Sequence, residues 1–212
     1  MSDSEEIFSI LRKMYPDAKP ELEFNDDFEL LVAVILSAQC TDKRVNKVTR
    51  ELFKVARTPE DFAAMNPEDL EKLIFSCGFY RNKAKNIIAA SRAIVERFGG
   101  KVPRDFDELL TLDGVGRKTA NVVSSICFGG DGIAVDTHVF RTANRLGLAH
   151  GKTPYEVEKQ LLAVIPEGER NKAHHLLIFH GRYRCKSQNP NCTDCPLKKY
   201  CNRTEETEGT GF

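Results

Sequence analysis

Three short stretches of this chain share one local design, and together they restrict it to a helical fold. Thr58-Pro59-Glu60-Asp61, Asn66-Pro67-Glu68-Asp69 and Thr153-Pro154-Tyr155-Glu156 each place a capping side chain before a proline, with an acid three residues after the cap. The capping oxygen accepts an amide that a helix start leaves unpaired. Proline at the next position lacks an N–H that has no partner there anyway, and the acid faces the positive end of the helix dipole. Apolar residues recur at helical spacing in Phe8/Leu11/Tyr15, Val45/Val48/Leu52/Phe53 and Ile87/Ile88/Ala90/Ile94/Val95/Phe98. Helix stops are expected at Gly78, Gly99-Gly100, Gly129-Gly130 and Gly181. No run alternates as a strand does, and no hairpin dipeptide joins two alternating runs. The expected class is all-α.

The 212 residues suit one large domain or two small ones, with the glycine-rich turn Phe128–Gly132 as a candidate divider. Only Thr204–Phe212 reads as a tail. The longest apolar run, Leu30–Leu36, is too short to cross a bilayer. The acidic start MSDSEEIFSILRK is unlike the basic start of a secretory signal. Both features point to an intracellular, cytoplasmic protein with no membrane partner.

Lys and Arg number 31 and Asp and Glu number 31, so the formal charge is zero. A nucleic-acid binder is usually basic, but these charges are unevenly spread. Residues 1–30 are acidic, whereas Lys43/Arg44/Lys47/Arg50/Lys54, Arg81/Lys83/Lys85/Arg92 and Arg182/Arg184/Lys186/Lys198/Lys199 form basic groups. One face can be positive in a neutral molecule; solvated helix faces are the alternative reading.

Of seven cysteines, Cys40, Cys77 and Cys127 lie among apolar residues and are expected to pack as small buried hydrophobes. Cys185, Cys192, Cys195 and Cys201 crowd into a polar tail with the spacing C-x6-C-x2-C-x5-C. Without an export signal, that pattern suggests metal rather than disulfides. Spacing alone leaves the metal open. Structural zinc commonly uses two C-x2-C pairs, of which this tail has one, and four cysteines also suit an iron–sulfur cluster.

The stretch Asp105–Ser125 reads DFDELLTLDGVGRKTANVVSS. Phe106, Leu109 and Leu110 predict a short helix, Leu112-Asp113-Gly114-Val115-Gly116 a tight turn, and Arg117 onwards a second helix. Two glycines around one apolar residue let the backbone turn sharply with no side chain in the way. The amides of Gly114, Val115 and Gly116 can then point at a phosphate, with Arg117 and Lys118 just after them. This is the logic of a helix-hairpin-helix element, which grips DNA backbone without reading sequence. A plain helix–helix connection is the alternative.

LDGVGRKTANVV resembles the hairpin of the endonuclease III family of DNA glycosylases, which usually has proline where this chain has Asp113. Ser37–Asp42 (SAQCTD), Gly78–Ala84 (GFYRNKA) and Val135–Arg141 (VDTHVFR) are similar to further family segments, and the cysteine spacing matches the family's [4Fe–4S] loop. The likeness runs from about residue 5 to 203. It implies a bifunctional enzyme of base excision repair. Such an enzyme removes oxidised pyrimidines, thymine glycol among them, from duplex DNA and cuts the strand at the resulting abasic site by β-elimination.

The resemblance assigns catalysis to Lys118 and Asp136, and a [4Fe–4S] cluster to Cys185, Cys192, Cys195 and Cys201. A lysine in the first turn opposes the helix dipole, which favours the neutral amine that a Schiff-base nucleophile must be. Asp136 read alone is an N-cap for the helix after it, and the two roles are compatible. By position, Gln39 fills the gap left by a flipped-out nucleotide, and Phe79 is the wedge, where the family has an aliphatic residue. Phe79 as a core anchor is the alternative. Arg81 and Lys83 read as phosphate contacts or solvated charges, Asp42 as a helix cap, and His138 as a DNA contact or a satisfied, partly buried histidine. Lys186 is the one basic residue in a loop where the family often has more.

The implied architecture has two lobes. Residues 22–132 form a helical barrel with the hairpin at about 105–125, and residues 1–21 with 133–212 form the iron–sulfur lobe, with DNA over the groove between them. The partner is double-stranded DNA carrying damaged bases or abasic sites, met by a monomer. A monofunctional relative acting on mismatched bases is disfavoured by Lys118. A non-catalytic DNA-binding module and an electron-transfer iron–sulfur protein are further rivals, and the second leaves the hairpin unexplained.

Overall fold

The computed structural model describes residues 2–205, so residues 206–212 of the expected tail lie outside the described residues. The described residues form helices joined by turns, without a β-strand. The helices are α1 (Asp3–Met14), α2 (Asp27–Ser37), α3 (Asp42–Val55), α4 (Pro59–Ala64), α5 (Pro67–Ile74) and α6 (Tyr80–Phe98). They continue with α7 (Phe106–Leu110), α8 (Arg117–Cys127), α9 (Thr137–Arg145), α10 (Pro154–Val164) and α11 (Arg170–Phe179). A π-helical turn, His180–Arg184, leads into the cysteine tail, where Lys198–Tyr200 and Asn202–Glu205 are short 3-10 turns.

The three recurrent starts are N-caps, as their sequence predicts. Thr58, Asn66 and Thr153 each accept a backbone amide of the following turn, with proline at the helix start. Thr58 and Asp61 complete a reciprocal capping box, worth about 1 kcal/mol. Asp42 is a correction: the cap of α3 is Thr41, whose hydroxyl accepts Arg44 N, and Asp42 is the first helical residue. Gly181 is another. The chain does not stop there but runs through the π turn, and a Cβ on Gly181 would lie 2.9 Å from His138 Cβ. Glycine is needed at that position for close approach rather than for termination.

The chain divides into two compact units, one Pro20–Gly130 and the other Met1–Lys19 with Asp131–Phe212. In the first, α2 is the central element. Every residue from Phe28 to Leu36 is buried, which explains an apolar run with no polar stripe. Helices α3, α6 and α8 pack on α2, while α4 and α5 pack on α6. Their shared core includes Leu31, Leu36, Leu52, Phe62, Ile87, Ile94 and Val123. Full burial of each large aliphatic contributes about 1.5–3 kcal/mol. Glu29 is buried in this core, and its carboxylate accepts from Asn25 N, Asn25 Nδ2 and the Arg57 guanidinium. In the second unit, α11 packs on α1, α9 and the π turn, and α10 packs on α9. Its core gathers Leu11, Val139, Ala143, Leu161 and Leu177.

Candidate functional site

The hairpin joins α7 to α8. Asp105 caps α7 by accepting the amides of Asp107 and Glu108, and Gly116 is the N-cap of α8. Gly114 has φ +76°, in the left-handed region that suits glycine, and a Cβ there would lie 2.9 Å from Asn86 Cβ. Val115 corrects the expectation of a phosphate-facing amide. Its N–H closes the turn on Leu112 O at 3.1 Å, and its side chain is only 6% exposed. It anchors the hairpin to the core while Gly114 and Gly116 stay exposed. The Arg117 guanidinium lies 5.3 Å above the Phe106 ring, tying the two hairpin helices together. Lys118 is exposed at the second position of α8, close to the amide-rich helix start.

Two loops of the same unit hold strained residues. Gln39 (φ 53°) and Phe79 (φ 57°) are two of the three described non-glycine residues with left-handed backbone; Asn189 is the third. Such conformations cost roughly 1–3 kcal/mol each and persist at functional positions. Phe79 is 64% exposed, which rules out the core-anchor reading. The loops lie side by side, since a Cβ on Gly78 would be 3.6 Å from Gln39 O. Lys83 was expected to meet phosphate or solvent; instead it is 4% exposed and bridges the loops. Its ammonium donates to Leu36 O (2.9 Å) and Ala38 O (2.6 Å), carbonyls that the end of α2 leaves unpaired. Burial lowers its affinity for the proton. Arg81 is exposed and pairs with Glu71 at 3.7 Å.

In the other unit, Asp136 is the N-cap of α9. Its Oδ1 accepts His138 N and Val139 N, both at 2.8 Å, which fixes the carboxylate. His138 is half-buried, with Nδ1 3.2 Å from Arg141 Nη2. Arg141 escaped sequence reasoning. Its guanidinium donates to Gly181 O, Cys185 O and Thr137 O, so the helix that begins at Asp136 is locked to the entrance of the cysteine tail.

Cys185, Cys192, Cys195 and Cys201 surround a cavity of about 370 Å³, which Leu146, His180, Arg184, Lys198 and Arg203 also line. None of the seven cysteines is joined in a disulfide. Among the described residues, no three His, Cys, Asp or Glu side chains are grouped closely enough for a single metal ion. Four thiols around a larger space fit a multi-atom cluster better than zinc, whose four ligand atoms sit about 2.3 Å or less from one centre. The cavity wall is cationic. Arg145 Nη1 lies 3.4 Å from Cys185 Sγ, and Arg184 Nε is buried with no hydrogen-bond partner. An anionic, thiolate-held group would satisfy that donor. Arg145 also donates to Lys186 O, and Lys186 itself is exposed.

Comparison with known proteins accords with this geometry. The family described as HhH-GPD superfamily base excision DNA repair protein matches residues 32–167. Endonuclease III of Bacillus subtilis (strain 168) is 52% identical over 200 residues, covering 94% of this chain and 91% of that protein. A solved structure of a trapped covalent endonuclease III–DNA intermediate, the estranged-adenine complex, aligns with TM-score 0.92 and 49% identity over 97% of this chain and 98% of that one. A non-covalent endonuclease III–DNA complex aligns with TM-score 0.93 and 48% identity, over 99% and 100% of the two chains. This chain belongs to the endonuclease III family.

Proposed function

We propose that the chain is a base-excision repair glycosylase and abasic-site lyase for oxidised pyrimidines in duplex DNA, with Lys118 as nucleophile and Asp136 as the assisting carboxylate. One observation carries this reading: a protein 49% identical over nearly the whole chain has been trapped as a covalent intermediate with DNA. A covalent intermediate needs a nucleophile, and Lys118 is an exposed amine at the helix start immediately after the hairpin turn. The working form is a DNA-associated, cytoplasmic monomer. No described helix is long and apolar enough to cross a membrane.

The chemistry follows from the residue types. The reactive sugar carbon is shielded inside the stack, so the damaged nucleotide is first flipped out. Gln39 and Phe79 hold the opened step, Phe79 by stacking an exposed ring against it. Exposed amides at Gly114 and Gly116 receive a phosphate, with Arg117, His138 and Lys186 as further DNA contacts. The Lys118 amine attacks the anomeric carbon and the base leaves. Asp136 stabilises the positive charge that develops on the sugar; its Oδ1 is held by two amides, which leaves Oδ2 for that task. The resulting imine acidifies the adjacent sugar proton. Loss of that proton expels the 3′ phosphate and cuts the strand.

Cys185, Cys192, Cys195 and Cys201 would hold the family's [4Fe–4S] cluster in the cavity between them, where it would add a four-point crosslink to a tail that otherwise docks through Leu197 and Tyr200.

The test is a duplex with one thymine glycol, assayed for base release and strand cutting. Wild-type protein should perform both at matched rates. Lys118→Ala should lose strand cutting and Asp136→Asn should slow base release, by about a hundredfold or more each. Base release without strand cutting by the wild type would favour a monofunctional glycosylase.

A further inference from the structure

Cys40 and Cys77 sit where the Gln39 and Phe79 loops meet. Cys40 directly follows left-handed Gln39, and Cys77 lies two residues before left-handed Phe79. The backbones run close here, since a Cβ on Gly78 would lie 3.6 Å from Gln39 O, and Lys83 of α6 is hydrogen-bonded to Leu36 O and Ala38 O, where α2 gives way to the first loop. Cys77 belongs to the buried apolar cluster and Cys40 packs against that same cluster, with Cys40 among the groups that raise the proton affinity of Cys77. Cys40 is half-buried and Cys77 fully buried, so reagents reach the pair through Cys40. The Lys83 ammonium is the cation of this junction, and it partly offsets the effect of burial on the Cys77 thiol. Burial pushes the Cys77 thiol up to about 11, which makes it the later, resolving partner.

We propose that Cys40 and Cys77 form a peroxide-oxidisable dithiol whose disulfide bolts the two loops together and impairs opening of the duplex. The inference rests on the roles proposed above for Gln39 and Phe79. Cys40 thiolate attacks one oxygen of hydrogen peroxide; the O–O bond breaks, hydroxide leaves and is protonated to water, and Cys40 becomes a sulfenic acid. Cys77 sulfur then attacks Cys40 sulfur, the S–S bond forms, the S–O bond breaks, and the hydroxyl departs with the Cys77 proton as a second water. Two thiols lose two electrons and two protons, and one peroxide becomes two waters. A disulfide needs its sulfurs about 2.05 Å apart, much closer than two unbonded thiols can lie. Closing that gap pulls on Gln39 and Phe79, whose left-handed backbones leave little room to adjust.

The experiment treats the full, cluster-loaded protein with hydrogen peroxide and compares only samples whose cluster absorbance is intact. Free thiols are alkylated and peptides mapped without reduction, while base release is measured on a thymine glycol duplex. A linked Cys40–Cys77 peptide is expected, with a rate lower by about tenfold to a hundredfold that dithiothreitol restores. Cys40→Ser, and Cys77→Ala as a second variant, should keep their untreated activity under the same peroxide. Absence of the linked peptide, or its full formation with no loss of rate, would overturn the inference. Gln39→Ala and Phe79→Ala in reduced protein separate the two readings. If both retain full duplex activity, the loop roles fail, and the switch with them, even where peptide mapping still finds the disulfide.

Discussion

Residues 20–130 and the remainder of the chain are held together by different means. The first unit is organised around a wholly buried helix, and its polar interactions decorate a continuous apolar core. The second has a core of its own, which its last stretch, from Cys185 onwards, joins through Leu197, Cys195 and Tyr200 while adding specific polar ties and four cysteines around a cavity. Arg141 and Arg145 reach into that stretch through Cys185 O, Cys185 Sγ and Lys186 O, while Lys199 and Tyr200 grip Glu6 of α1. The proposed nucleophile thus stands on a scaffold held by burial, and the proposed carboxylate begins a helix that adds polar ties to the tail on top of an apolar core of its own. Burial is non-directional and tolerates small changes in shape, whereas a polar clamp fails when one partner is lost.

The contrast can be broken most forcefully at the cysteines. Cys195→Ala should abolish the cluster's absorbance and expose the amides of residues 185–205 to exchange by several orders of magnitude, while α2 and α6 stay protected. Equal loss of protection in both units would erase the distinction. Gly114→Ala comes next. Left-handed backbone and a Cβ 2.9 Å from Asn86 Cβ force the hairpin to shift, and affinity for duplex DNA should fall about tenfold or more with little change in cluster content. Arg141→Gln should slow base release about tenfold, because α9 loses its ties to Gly181 and Cys185. The measurement that locates this effect is kcat against KM, with kcat carrying the change.

A pH effect sharpens the comparison further. Burial pushes His175 down to about 4 from its ordinary 6.5, and its Nε2 is buried with no hydrogen-bond partner. Between those values the unfolded chain binds the proton that the folded one excludes, so stability falls as pH drops from about 6.5 towards 4. His175→Gln should flatten that slope in thermal melts followed through α11. The smallest effect belongs to the apolar unit's surface: Thr58→Ala removes half of a capping box and should lower stability by about 1 kcal/mol in chemical denaturation.

What sequence could reveal was local. Caps, helix faces, the hairpin turn and the cysteine spacing each depend on residues a few positions apart, and the chain carries them openly. What it concealed depends on distant partners. Lys83 looks like a solvated charge until α6 brings it to the carbonyls of Leu36 and Ala38, 47 and 45 positions earlier. Arg141 is one basic residue among many until it meets Cys185 and Gly181. Cys40 and Cys77 read as two separate small hydrophobes, and only the pairing of their loops brings them to one junction. The left-handed Gln39 and Phe79 had no compositional mark, since neither is glycine or asparagine.

The central claim is that Lys118 becomes covalently joined to DNA. The direct measurement incubates the protein with a thymine glycol duplex, adds borohydride to reduce any imine, and maps the crosslinked peptide by mass spectrometry. A single adduct on Lys118, absent from Lys118→Ala, is the predicted result. An adduct on another lysine or on the N-terminal amine, or none from cluster-loaded protein that still cuts the strand, would contradict the account.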